Sequence, residues 1–194
     1  KVRVWDNEGN VSQWSAPASF GIGFLDDKDW ASNAAFIGVP GNRGKSEVAP
    51  LLRKTFTAKE DAERYLLHVN SLGYHEAYVN GTAVSDAVLS PAVSQFGVRT
   101  RIVTYDVTSL VHSGENDIII WTGKGWYQTH NKAVVPGGPY VRAQLDCITS
   151  EGVTAVTATD GSWKYAESER RTYGPGRPHE MGGEIVDARK VLPD

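Results

Sequence analysis

Cysteine and methionine are almost absent from this 194-residue sequence, which contains one of each. A single cysteine, Cys147, can form no intrachain disulfide and supports no metal site that needs several thiolates. The first residue is Lys1 and the lone methionine is Met181, so we interpret the chain as part of a longer protein. The start shows no charged-then-apolar signal pattern, and in a fragment that absence leaves the cellular location open.

A long apolar run and a basic charge balance are also missing. No stretch of about 18 apolar residues occurs, so we expect no membrane-spanning helix and no membrane partner. Lysine and arginine total 20 against 23 aspartates and glutamates, a net charge of −3. Because phosphate binding needs a basic surface, this balance argues against nucleic acid as the main partner. With 40% hydrophobic and 22% charged residues, the composition is typical of a folded globular protein.

Short alternating segments separated by turn residues recur along the chain, which is typical of an all-β sandwich or barrel. In the clearest segment, Val141, Ala143, Leu145 and Cys147 alternate with polar residues, so we expect Cys147 to be buried. Further strands are predicted over residues 52–56, 65–69, 74–79, 104–107, 116–122, 153–159 and 162–166.

Turn signals join several of these strands. The strongest is Asn80-Gly81, because both residues tolerate a positive φ and suit a tight hairpin. Residues 106–111 predict a single helical turn that is capped by Asp106 or Thr108.

Residues 1–24 differ from the rest of the chain. Two short apolar segments flank the polar turn at residues 6–10, which predicts one β-hairpin. A lone hairpin is marginal in water, so it must dock on the rest of the chain or complete a preceding domain. The acidic stretch at residues 26–29 is interpreted as a polar connector. We therefore divide the chain into a terminal hairpin, 1–24, and one sandwich, 25–194.

Six motifs occur in order along the sandwich. They are Asp29-Trp30 with Phe36-Ile37, Leu52-Arg53-Lys54 with Phe56, residues 72–81, residues 105–110 with 114–116, Gly123-Lys124-Gly125-Trp126-Tyr127, and residues 183–189. Together they resemble the N-terminal β-sandwich domain of bacterial α-L-rhamnosidases of glycoside hydrolase family 78. The opening hairpin is similar to the last two strands of a fibronectin type III-like domain, which often precedes that sandwich.

The resemblance implies a jelly-roll β-sandwich of the galactose-binding-domain-like type, with an extra N-terminal hairpin. Family members hydrolyse terminal α-L-rhamnose with inversion, using carboxyls on a separate (α/α)6 barrel that would follow Asp194. An inverting pair stands roughly 6.5–9.5 Å apart, which leaves room for a water molecule. The resemblance therefore implies a domain without catalytic residues, whose partner is that barrel. The sequence departs from the family at Val186, where tyrosine is common, and at residues 128–139.

Trp126 and Tyr127 lie between two predicted strands, on a loop that begins at Gly125 and continues with polar residues. Aromatic rings stack on the C–H faces of sugars, and His130 and Asn131 would supply polar groups for the hydroxyls. These four residues form our candidate carbohydrate-binding group. Two alternatives remain: the rings pack into the core, or they contact the catalytic barrel.

Three residues of the closing segment, Glu184, Asp187 and Arg189, are candidates for a domain interface. Glu180 precedes Glu184, but the glycines between them leave that pair without a defined geometry, so we assign no catalytic residue. Asp187 and Arg189 are two positions apart, which on a strand places them on one face. We expect a structural ion pair or an anchor to the next domain.

Calcium is the one metal that the sequence suggests. Asp26, Asp27 and Asp29 could supply oxygens, but they lack regular ligand spacing and are explained by a solvated linker. Asn80 and Gly81 could belong to a sugar site that uses calcium, as in some related sandwiches, although turn chemistry explains both residues.

The five histidines show no metal-ligand spacing. His68 and His75 flank one predicted turn and could face each other across strands. No phosphate loop, dinucleotide fingerprint or nucleophilic serine elbow occurs either. We therefore predict no metal site and no cofactor.

Three functions remain open. The first is a non-catalytic accessory domain of an α-L-rhamnosidase, which the order of the motifs favours. The second is a carbohydrate-binding module for rhamnose or a related sugar, with or without calcium. The third is a purely structural spacer.

Overall fold

The computed structural model describes residues 1–18, 20–39, 48–130, 137–173 and 183–190, without the side chains of residues 48, 128–130 and 172–173. Within these ranges, ten strands form two antiparallel sheets that face each other. No helix in them has the length and apolar character needed to cross a membrane. The predicted all-β jelly-roll sandwich is therefore confirmed.

The larger sheet contains six strands. They are β1 (Val48–Thr57), β3 (Tyr74–Val79), β4 (Thr82–Ala83), β6 (Glu115–Gly123), β9 (Lys164–Tyr173) and β10 (Gly183–Val186). Their order across the sheet is β10-β9-β1-β6-β3-β4. The central strand β1 places Leu52 between Ile120 of β6 and Tyr165 of β9.

The smaller sheet contains four strands. They are β2 (Arg64–Leu72), β5 (Ile102–Asp106), β7 (Tyr140–Thr149) and β8 (Gly152–Ala158), in the order β5-β2-β7-β8. Every strand that alternation predicted is present in one of the two sheets. Strand β9 extends well beyond the predicted 162–166.

The core lies between the sheets and comes from alternating positions on both. On β6, Ile118 and Ile120 are fully buried, and on β2 and β7 Leu67 and Leu145 are equally buried. Cys147 belongs to the same cluster, so its predicted burial is confirmed. Full burial of each such aliphatic side chain contributes about 1.5–3 kcal/mol, and the core therefore holds the two sheets together.

The described ranges also contain three short helices, one before β1 and two between later strands. They are the 3-10 helices Asp27–Asp29 and Thr108–Leu110 and the α-helix α1 (Gly125–His130). The second confirms the predicted helical turn, although its N-cap is Val107 and has no side-chain cap. Asp106 lies one residue before this N-cap. Its Oδ1 accepts a hydrogen bond from the backbone N–H of Thr108, the first residue of the helix.

Residues 1–18 form the predicted hairpin. Trp5 and Val11 make an antiparallel bridge, and backbone N–H groups of the second strand donate to carbonyls of the first. The Arg3 guanidinium lies 4.9 Å from the ring centroid of Trp5 and 4.8 Å from that of Trp14. Both indoles are exposed. The assignment of this hairpin to a preceding domain stays a prediction.

Candidate functional site

Trp126 and Tyr127 lie on helix α1, so the predicted loop at this position is wrong. Six residues make too short a helix to show a helical period in the sequence. Tyr127 is 3% exposed, and its ring stands edge-on to Phe96 with 5.4 Å between centroids. Burial raises the pKa of the Tyr127 hydroxyl. Tyr127 is therefore a packed core residue, whereas Trp126 is half-buried.

The other two members of the predicted carbohydrate group fall where the structure gives no side chains. His130 is the last residue of α1, but its side chain is not described. Asn131 lies outside the described residues. Sugar binding by these residues therefore stays a prediction.

A concave site that the sequence did not reveal lies on the outer face of the six-stranded sheet. Tyr74, Glu76, Trp121, Arg170 and Glu184 line part of a cavity of about 270 Å³. Trp121 alternates with buried Ile118 and Ile120 along β6, and this outward position was the one signal available.

Arg170 contacts both an aromatic ring and a carboxylate of this cavity. Its guanidinium carbon lies 4.7 Å from the centroid of the Trp121 ring, a cation–π distance. Its nitrogens lie 3.2 Å from Oε1 of Glu169 and 3.3 Å from Oε2 of Glu184. The hydrogen bond to Glu169 and the one to Glu184 raise the pKa of Arg170. Glu184, predicted as an interface residue, is thus an ion-pair partner on β10.

Asp187 and Arg189 form the expected ion pair, but they do not lie on a strand. Strand β10 ends at Val186, and a turn follows in which the N–H of Lys190 donates to the carbonyl of Asp187. Nε and one terminal nitrogen of Arg189 lie 2.8 and 2.9 Å from the two oxygens of Asp187. The guanidinium is exposed, so the pair contributes little to stability. Its role in a domain interface stays a prediction.

In the acidic connector, the carboxylates of Asp26 and Asp29 accept hydrogen bonds from backbone N–H groups of the same segment. Asp26 and Asp29 form a capping box around the first 3-10 helix. Oδ2 of Asp29 accepts from the N–H groups of Leu25 and Asp26, and these bonds lower the pKa of Asp29. Asp27 pairs with Arg142. Across the described ranges, no three histidine, cysteine or acidic side chains form a group that could hold a metal.

The Asn80-Gly81 turn is built as predicted and is tied to the sandwich. Both residues have a positive φ, 50° and 75°. The Asn80 amide donates to the Leu110 carbonyl at 2.8 Å and to Oδ1 of Asn116 at 2.7 Å. Its oxygen accepts from the N–H of Asp117 at 3.0 Å. This set of bonds gives Asn80 a structural role at the end of the hairpin.

His68 and His75 do not face each other, because β2 and β3 are not paired and His68 lies on the outer face of the four-stranded sheet, under the ring of Phe24. Nδ1 of His68 lies 2.8 Å from Oγ1 of Thr104, and Nε2 lies 3.4 Å from Oδ2 of the buried Asp146. The ring of Phe24 stacks on His68 with 4.1 Å between centroids. This cluster holds Phe24, which lies just before the connector, against the outer face of the four-stranded sheet.

Comparisons with known proteins agree with this architecture. The family model of the alpha-L-rhamnosidase N-terminal domain matches residues 60–194, and that of the Rha78A-like N-terminal immunoglobulin domain matches residues 1–26. An α-L-rhamnosidase of Formosa agariphila is 30% identical over 207 residues, which span 100% of this chain and 22% of that protein. One of Alteromonas sp. is 28% identical over 187 residues, spanning 87% of this chain and 19% of that protein.

Two solved structures show the same fold. The α-L-rhamnosidase of Dictyoglumus thermophilum superposes with a TM-score of 0.80 at 24% identity, over 98% of this chain and 22% of that one. The Streptomyces avermitilis α-L-rhamnosidase, complexed with L-rhamnose, has a TM-score of 0.62 at 28% identity, over 75% and 14%. The chain thus spans about a fifth of the length of the curated relatives it matches.

Proposed function

Because the chain belongs to the family of α-L-rhamnosidase N-terminal domains, we propose that it is a non-catalytic accessory domain of an α-L-rhamnosidase. The match over residues 60–194 is the observation that carries this proposal. The rest of the protein would contain the (α/α)6 barrel that removes terminal α-L-rhamnose from glycans or glycosides. The sandwich would support that barrel.

The carboxylates of the described residues support a non-catalytic role. General acid catalysis near neutral pH needs a carboxyl whose pKa is raised by its surroundings. Among the described residues, the carboxyl pKa values that depart from their ordinary value are lowered, chiefly by hydrogen bonds from hydroxyl, amide, guanidinium or backbone N–H groups. These carboxylates are Asp6, Asp29, Asp106, Asp160 and Asp187.

An assay on an aryl α-L-rhamnoside tests this function. The full-length protein and the 194-residue chain are compared at equal molar concentration. We expect turnover by the full-length protein and none by the chain alone. Turnover by the chain alone, or none by the full-length protein, would overturn the proposal.

The cavity beside Trp121 favours a second candidate, the binding of rhamnose or a related sugar. Sugar sites combine aromatic rings with planar polar groups, and this cavity offers Tyr74 and Trp121 together with Arg170 and two carboxylates. Calorimetric titration with rhamnose, with and without calcium, tests it. Trp121→Ala and Trp126→Ala then locate the site. An absence of heat in every titration favours the accessory domain or a plain spacer.

A further inference from the structure

Residues 84–101, which connect β4 to β5, expose four aliphatic side chains to solvent. Val88 is 82% exposed, Leu89 69%, Val93 57% and Val98 81%. We call residues 88–98 the apolar loop. Exposed apolar groups concentrated in so short a segment are unusual for a surface that faces only water.

The apolar loop is held in a defined conformation. The Ser90 carbonyl accepts a hydrogen bond of 2.8 Å from the backbone N–H of His75. Pro91 is buried, and Oγ of Ser94 donates to the Arg99 carbonyl at 2.9 Å. The aliphatic side chains therefore point outward from a fixed backbone, and the loop itself gives them no apolar cover.

The loop adjoins the helix that carries the family's Gly-Trp-Tyr motif. Phe96, within the loop, packs edge-on against the buried Tyr127 of α1. The half-buried Trp126 lies on the same short helix. At the end of the connection, Arg99 and Arg101 are exposed and would form a charged rim beside an apolar centre.

Other exposed apolar residues fall into different groups. Those of the hairpin and its continuation lie within residues 1–26, which the immunoglobulin-domain model matches. Elsewhere in the sandwich, Phe36, Val153 and Tyr165 are exposed singly, and Ile185 and Val186 are exposed side by side on β10. Among the described residues of the sandwich, the apolar loop thus exposes more large apolar side chains than any other connection or strand.

We propose that the apolar loop docks on the catalytic domain of the same polypeptide, against an apolar surface with acidic residues at its edge. This inference rests on the proposed function. The first two curated relatives are much longer than the chain, which spans 22% and 23% of them. A covalently attached domain is therefore a partner of high effective concentration, and burying the loop against it removes apolar surface from water.

Cysteine labelling in the full-length protein tests the docking. Leu89→Cys and Val98→Cys are compared with Val153→Cys. Val153 is a matched control because it is 65% exposed and lies outside the apolar loop, at the start of β8 in the four-stranded sheet. Maleimide labelling is followed at each peptide by mass spectrometry. We expect labelling at positions 89 and 98 to be at least tenfold slower than at 153. Adding Val93→Asp to Val98→Cys should restore fast labelling at position 98.

The outcomes separate the docking from the proposed function. Equal labelling rates at all three positions in a protein that hydrolyses an aryl α-L-rhamnoside would overturn the docking and leave the accessory role intact. Slow labelling that becomes fast on dilution would show a second copy as the occupant, which also overturns it. A full-length protein without rhamnosidase activity would overturn both.

Discussion

Nε2 of the buried His75 lies 2.9 Å from the hydroxyl of Tyr105, and this contact joins the two sheets of the sandwich. Their rings are nearly perpendicular, at 85°, with 5.9 Å between centroids. Nδ1 of the same imidazole lies 2.7 Å from Oγ of Ser71, so both ring nitrogens have partners. Burial disfavours the charged imidazole and lowers the pKa of His75 to about 4.

The variant Tyr105→Phe should destabilise the sandwich. It removes the hydroxyl that meets His75 and that also lies 3.3 Å from Oγ of Ser90, so a buried imidazole nitrogen loses its partner. We expect the free energy of unfolding to fall by about 1–3 kcal/mol. Tyr165→Phe, at an exposed position, should change it by less than about 0.5 kcal/mol. Urea denaturation measures both, and equal effects would contradict the role of the hydroxyl.

His75 should also make stability depend on pH. The unfolded chain binds the imidazole proton near pH 6.5, whereas the folded chain binds it near 4. Between these values the unfolded state holds more protons, so the free energy of unfolding decreases as the pH falls from 6.5 to 4. The difference in pKa corresponds to a loss of about 3 kcal/mol at pH 4, absent above pH 6.5.

Denaturation at pH 7 and pH 4.5 measures this loss. His75→Gln should lack the His75 contribution and therefore lose less stability over that interval than the unsubstituted chain. His112→Gln, at an exposed position, should behave like the unsubstituted chain. If His75→Gln and the unsubstituted chain lost equal stability, the folded-state pKa of His75 would not be depressed.

Alternation along the chain was enough to predict most of the fold. Residues 140–148 alternate over nine positions, and they became β7 with Val141 and Leu145 fully buried. Segments without enough length to show a period were missed. Strand β10 has four residues and pairs with the preceding strand β9, and helix α1 has six residues and packs through Tyr127 on the distant Phe96.

The side-chain networks could not be predicted from spacing. His75 and Tyr105 are 30 positions apart and lie in different sheets. Arg170 and Trp121 lie on β9 and β6, the two strands that flank β1 in the six-stranded sheet. The packing of the two sheets creates the first contact and the strand order within one sheet creates the second, and no local signal in any of the four residues marks them. The turn at Asn80 differs, because the Asn-Gly pair alone was enough to predict its positive φ.

Gly73 should be one of the least replaceable residues of the sandwich. Its φ is +122°, and a Cβ would lie 2.2 Å from the carbonyl oxygen of Gly123. Gly152 has a similar φ of +131°, but a Cβ there meets nothing within 4 Å. Both alanine variants carry backbone strain, and only Gly73→Ala adds a clash with the backbone.

We therefore expect Gly73→Ala to lower the free energy of unfolding by at least about 2 kcal/mol more than Gly152→Ala. Thermal denaturation of the two variants measures the difference. A similar loss in both would show that the β2–β3 turn moves away from Gly123 at little cost.

Tyr127 offers the most direct test of whether the Gly-Trp-Tyr motif is a packing element. Its ring packs edge-on against Phe96. Gly138 also lies close to the ring, since a Cβ added to Gly138 would be 3.4 Å from it. Removing a buried aromatic ring typically costs about 3–5 kcal/mol, because apolar burial is lost and a cavity is left. Tyr127→Ala should therefore lower the free energy of unfolding by about that amount. Tyr165→Ala, at an exposed position, should lower it by less than about 1 kcal/mol.

The double variant Phe96→Ala/Tyr127→Ala separates the aromatic pair from the general loss of packing. Edge-on pairs contribute about 0.5–1.5 kcal/mol beyond their buried area, so the two single losses should exceed the double loss by about that much. Since Phe96 belongs to the apolar loop, this coupling would also show that α1 and the loop share one packed unit. Strict additivity, together with a small effect of Tyr127→Ala, would instead mean that the ring leaves its site readily and is accessible to a ligand.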